Sequence, residues 1–198
     1  RSRQRPLQEA SPYPIRPQST MRIPTLAVAT LALVSLAASC SAPTASSTDM
    51  LPIGLVIDQK LDGVVRIEAE GSGGMGFGNE RVSASNLETA TRQAVLDSGL
   101  FRAVSDSSDC DYVLKVRVAK LSDPEPDLFP EVEAAMVWRM TNAAGDRVLW
   151  EHTIQTTGKA DPDDHLDYQA RESIATGRAV AKNLAQGIER ISKLQFDD

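Results

Sequence analysis

The side chains of this chain that could move protons or hold a metal are few. His152 and His165 are its only histidines, and His165 stands inside an acidic run, Asp161, Asp163, Asp164 and Asp167. Zinc sites draw their ligands from His, Cys and carboxylates at characteristic spacings. Calcium loops need spaced oxygens, a central glycine and a closing glutamate. The run has neither pattern. It reads as negative charge at a helix N-terminus, where each acid is stabilising by about 0.3–1 kcal/mol, with His165 able to pair with Asp161 or Asp164. No Gly-x-Ser-x-Gly elbow is present. Gly71-Ser72-Gly73-Gly74-Met75-Gly76 matches the letters of G-x-G-x-x-G. In a dinucleotide site those glycines lead straight into a helix whose amides meet the pyrophosphate, whereas here about ten residues intervene. The segment reads as a loop that exposes Met75 and Phe77 to a partner. No cofactor and no metal is expected, and the chain is read as non-enzymatic.

One further residue has chemistry of a different kind. Met21-Arg22-Ile23-Pro24 opens a basic start, residues 26–36 form an apolar run, and Ala37-Ala38-Ser39 lead to Cys40. A run of about a dozen apolar residues fits a signal-peptide h-region and falls short of the roughly 20 needed to span a bilayer. Residues 1–20 lack Met and precede a natural start at Met21, so they are read as a gene-model extension. Residues 21–39 are read as the signal peptide, and 40–50 as the modified cysteine with a small, polar, flexible tether (Ser-Ala-Pro-Thr-Ala-Ser-Ser-Thr-Asp-Met from 41). Residues 51–198 are expected to form a single domain.

Composition narrows the partners. Residues 40–198 carry 16 Lys and Arg against 26 Asp and Glu, a net charge of −10. Such a surface disfavours nucleic acid and anionic headgroups as direct ligands and suits a basic protein partner. With Cys40 modified, Cys110 has no partner within the chain, so no disulfide framework is available. Cys110 is read as a small, partly buried packing residue.

The elements that must position these residues follow from period and punctuation. Residues 51–58 and 64–70 are β-prone, with Asp62-Gly63 as a turn between them. A helix is expected from Asn86 to Ser98, opened by a capping box Ser85-x-x-Glu88, with Leu87, Ala90, Thr91, Ala94 and Val95 on one face and Gly99 as its left-handed stop. Period-2 alternation marks strands at 112–118, 131–141 and 147–156. Asn142-Ala143-Ala144-Gly145-Asp146 joins the last two as a hairpin that carries Trp138 and Trp150 on its two arms as packing residues. The last helix, 165–193, shows an apolar stripe of Ala170, Ile174, Ala181, Leu184, Ile188 and Ile191, with Arg171, Glu172 and Arg178 on the outer side. The order β(β)-α-β-β-β-α predicts an α+β domain, a mixed, mainly antiparallel sheet with two helices packed on one face.

Two resemblances add to this. The residues before Cys40 look like a bacterial lipobox, with Leu36 one place further from the cysteine than in the commonest form. That resemblance implies a diacylglycerol thioether on Cys40, cleavage before it, and a membrane anchor through this residue. Ser41 in place of an aspartate implies the outer membrane, facing the periplasm. Further on, the segment Leu87 to Val104, with its Ser-Gly-Leu-Phe, and the strand Asp-Tyr-Val-Leu-x-Val from Asp111 to Val116 are similar to small proteobacterial envelope lipoproteins, the auxiliary lipoproteins of ABC-type transport systems among them. The resemblance implies a non-enzymatic auxiliary subunit with an envelope protein as partner. Its contacts are expected at the loop 71–79 with Met75 and Phe77, at the acidic loop 122–131 with Asp127 and Phe129, and at 161–167. A ligand carrier with an apolar cavity between helices and sheet is the alternative, and an enzyme with a dispersed site around His152 is a second.

Overall fold

The computed structural model of the chain describes residues 44–57, 59–72, 80–125 and 128–195. Its strands are β1 (Leu61–Glu70), β2 (Phe101–Val104), β3 (Tyr112–Leu121), β4 (Glu131–Asn142) and β5 (Val148–Lys159); its helices are α1 (Ala84–Ser98) and α2 (Tyr168–Ser192). All belong to one compact unit, Ser41–Asp198. The sheet order is β2-β1-β3-β4-β5. β1 runs parallel to β2 and β3, while β3/β4 and β4/β5 are antiparallel. This is the expected α+β class.

Period-2 patterning decides what each face does. Leu114, Val116 and Val118 on β3, and Val132, Ala134, Met136, Trp138 and Met140 on β4, are all buried. Leu114, Val116, Val118, Met136, Trp138 and Met140 form the main core with Leu87, Val95, Val180, Leu184 and Ile188, between sheet and helices, and Val132 packs separately with Ala160 and Ala175. The opposite face carries charge: Arg66 meets Glu68 at 2.9 Å, Arg139 meets Glu151 at 3.6 Å, and Lys115 pairs with Glu70. Exposed pairs of this kind contribute little to stability, so this face is kept wet rather than stapled. The hairpin turns as its residues require: Gly145, at φ 75°, donates to the Asn142 carbonyl at 3.0 Å, and the Asn142 side-chain amide donates to Asp146 at 2.7 Å.

α1 buries the five residues its periodicity selects, and Gly99 stops it at φ 65°. Its start differs from the capping box read at Ser85 and Glu88. Ser83 is the N-cap, its hydroxyl accepting from the Asn86 amide at 3.1 Å. The register is set by apolar residues: Val82, just before the cap, and Leu87, at the fourth helical position, are both fully buried, the arrangement of a hydrophobic staple. Glu88 is left to face Arg92 at 3.6 Å. α2 is shorter than the expected 165–193. Asp167 caps it by accepting from the Ala170 amide at 2.9 Å. Its buried face is also rotated from the expected stripe: Arg171, read as outward, is 6% exposed, whereas Ala170 and Ile174 are only partly buried.

Three further expectations are corrected. Residues 51–57 form no strand. Pro52 lacks an amide proton and Gly54 adopts φ 67°, and both edges of β1 are already taken by β2 and β3. Asp62-Gly63 is not a turn but lies inside β1, where the β1/β2 register shifts and Gly63 reaches φ 147°. A Cβ at Gly63 would meet the Tyr112 ring at 2.5 Å. Finally, the segment read as a tether is folded from Thr44 onward. Ala45 and Met50 are fully buried, and the Ala45 amide donates to the Arg81 carbonyl at 2.8 Å. The short β2, Phe101–Val104, was not anticipated, because four residues are too few to show a period.

Candidate functional site

Because β1, β3 and β5 share a direction, the segments leaving them, from residues 71, 122 and 160, emerge at one end of the sheet. Both helices begin at that end. The topology thus gathers there the three loops expected to meet a partner, although they are far apart in sequence. Of the expected contact residues, Met75, Phe77 and Asp127 lie outside the described residues, as does Cys40. Phe129 is 51% exposed, beside Leu128 at 62%. Leu166, on the loop that leads into α2, is 94% exposed.

Arg81 ties this end together. Its guanidinium donates to the Ser122 carbonyl at 2.7 Å and to Glu172 at 2.9 Å, with Asp123 3.7 Å away. Its side chain is only 12% exposed and that of Glu172 25%, so this pair is partly shielded from water, while Asp123 stays fully exposed. Arg81 also holds the start of the described chain through the Ala45 amide, while Thr44 donates to the Glu80 carbonyl at 2.9 Å. The base of the 71–80 segment is latched beside it: the Ser72 amide donates to the Val82 carbonyl at 2.8 Å, and the Val82 amide donates to the Ser72 hydroxyl at 3.0 Å. The other two loops are joined by Tyr168, whose hydroxyl donates to the Glu125 carbonyl at 3.1 Å, and by the Ala160 amide on the Pro130 carbonyl at 3.2 Å.

The acidic run before α2 is structural in its details. Asp164 receives both guanidinium nitrogens of Arg178 at 2.7 Å and the Asp161 amide at 2.8 Å. The hydrogen bonds from Arg178 hold its carboxyl below the usual aspartate range, and the Arg178 guanidinium is driven up in return. His165 pairs with neither Asp161 nor Asp164. Its Nδ1 accepts from the Asp167 amide at 3.0 Å, which folds the turn into the helix cap. Arg171 reinforces that turn by donating to the carbonyls of His165 and Leu166 at 2.8 and 2.9 Å. His152 stacks on Trp150, with centroids 6.1 Å apart, opposite Trp138 on β4. Among the described residues no three His, Cys, Asp or Glu side chains converge as metal ligands. Cys110 is a half-buried free thiol just ahead of β3.

The space between helices and sheet, where a carrier would hold its ligand, is filled by Trp138, Met136, Met140, Leu184 and Ile188, all fully buried. A concavity of about 880 Å³ lies instead beside α2, lined by Asp49, Leu51, Ile53, Ala181, Ala185 and the end of β5. Its basic rim is already engaged. Lys182 donates to the Thr157 carbonyl at 2.9 Å, and Lys159 faces Glu131 at 2.5 Å.

Sequence reasoning missed Arg81 and Asn183. Arg81 meets its partners 41 and 91 positions away, so no local signal marks it. Asn183, within an otherwise apolar helical face, was the detectable one: a buried amide must find partners.

No protein-family model matches the chain, and no curated protein matches it in sequence. Solved structures do resemble it. Protein XCC0632 from Xanthomonas campestris, of family DUF330, aligns with TM-score 0.51 at 16% identity, covering 75% of this chain and 91% of its own. A minor lipoprotein from Acinetobacter baumannii aligns at 0.45, with 13% identity over 67% of this chain and 92% of that one. Lipoprotein B from Nitrosomonas europaea aligns at 0.38, with 15% identity over 69% and 84%. At such identities the similarity to XCC0632 shows a shared fold and nothing of the site residues.

Proposed function

We propose that the chain is a bacterial lipoprotein anchored through an acylated Cys40, facing the periplasm from the outer membrane. In this reading it is a non-enzymatic partner or auxiliary subunit of an envelope transport or cell-wall assembly system. The observation that carries it is the signal-type segment 21–39 leading to Cys40, with Ala45 already packed against the domain five residues later. Several acyl chains on one residue anchor stably where one chain binds only marginally. An acidic domain, net −10 over residues 40–198, stays clear of anionic headgroups and offers charge to a basic protein. Ser41, where an aspartate would resemble a retention signal, supports the outer membrane.

The test is Cys40→Ser in cells labelled with radioactive palmitate. The label and membrane retention are both expected to vanish, with the protein recovered in the soluble fraction. Persistence of both would overturn the anchor. For the partner, crosslinking in intact envelopes is expected to trap a basic envelope protein on the wild-type chain, and trapping of none would count against the auxiliary role.

A further inference from the structure

The geometry points to a second membrane contact: the loop end of the domain lies against the lipid surface, with Leu166, Leu128 and Phe129 seated among zwitterionic headgroups. This rests on the Cys40 anchor proposed above. Only residues 41–43 separate Cys40 from Thr44, and four Cα steps of about 3.8 Å span about 15 Å at most. Thr44 is held at the loop end by the Glu80 carbonyl, and its neighbour Ala45 by the Arg81 carbonyl. The opposite end is too far away to exchange places with it. α1 has 15 residues, a length of about 22 Å at 1.5 Å per residue. With the anchor in the bilayer, an orientation that points the C-terminal end of α1 at the lipid would place Thr44 beyond its reach.

The surface at the loop end suits that position. Leu128 and Phe129 come from one loop and Leu166 from another, 62%, 51% and 94% exposed, and the two loops are bonded through Tyr168 and Glu125. Leu166 is tied by Arg171, next in sequence to the Glu172 that grips Arg81. Isolated exposed leucines are ordinary, but a group of three beside an anchor point gains by entering the headgroup boundary. Asp123, Asp161 and Asp163 are exposed around them, so a zwitterionic surface is favoured over an anionic one. Ile53, also fully exposed, belongs to the segment that runs from Thr44 toward the start of β1 and lines a groove with Ala181 and Ala185.

The experiment uses the full lipidated chain in phosphatidylcholine vesicles with brominated acyl chains, read against the native background of Trp138 and Trp150. Leu166→Trp and Phe129→Trp, on separate loops, are expected to be quenched at least about twofold more than Leu96→Trp and Ile53→Trp. Replacing part of the lipid with phosphatidylglycerol is expected to weaken that quenching. Equal quenching at all four positions, or stronger quenching at Ile53→Trp, would overturn the inference and leave the loop end to an envelope protein. Vesicle flotation separates the two readings. A chain that does not float has lost the anchor itself, whereas one that floats without quenching at 166 and 129 retains the anchor and refutes the contact.

Discussion

Asn183 sits fully buried on α2 and ties that helix to two strands. The Trp138 indole donates to its Oδ1 at 2.9 Å, and its amide donates to the Ile154 carbonyl at 2.8 Å and the Thr156 hydroxyl at 3.2 Å. Asn183→Leu would orphan the indole N–H and remove a bond to a buried carbonyl, at about 1–3 kcal/mol for each unsatisfied group. Urea denaturation is expected to show a loss of about 2–4 kcal/mol, and a midpoint equal to wild type would mean that these bonds carry no net stability. The helix is allowed this close by Gly187, where any Cβ would overlap the Trp138 ring. Trp138 and Trp150, on the two hairpin arms, illustrate what sequence can say at this scale. Alternation places both on the helix-facing side, but only packing makes Trp138 fully buried and leaves Trp150 partly so.

Elements were legible where a pattern was long enough to repeat. β4 shows five buried positions in strict alternation, and α1 shows five at helical spacing. β2, with four residues, and the 51–57 segment, where Leu51, Leu55 and Ile57 pack without a ladder while Ile53 and Val56 stay exposed, carried no usable period. The junction before α2 yields a pH prediction. The Asp164 carboxyl is held below its ordinary value near 3.8, chiefly by Arg178. A group depressed in the folded state contributes stability above its unfolded pKa and loses it as pH falls through the folded one. Thermal melts are therefore expected to drop more steeply for wild type than for Asp164→Asn between about pH 5 and pH 2, with the two converging at the acid end. Parallel pH profiles would show that the pair is not coupled to folding.

At the scale of the molecule, the folded body includes what looked like a tether. Met50 is fully buried in the main core, so Met50→Ala is expected to cost about 2–5 kcal/mol in a denaturant titration. A change below ~0.5 kcal/mol would return this segment to a dangling role, since surface substitutions fall in that range. Fold class, the hairpin, the faces of α1 and β4, and Cys40 with its signal-type segment are legible in the residues alone. These are local or periodic properties, written within a few turns or one strand of chain. The three-dimensional arrangement alone brings the loops after β1, β3 and β5 to one end, joins Ser122 to Glu172 through Arg81, and packs Ala45 and Met50 into the domain. The physical reason is that strand order and direction, not spacing along the chain, set which distant residues become neighbours. A charged side chain such as Arg81 has Ser122 and Glu172 as partners only because that order brings them together.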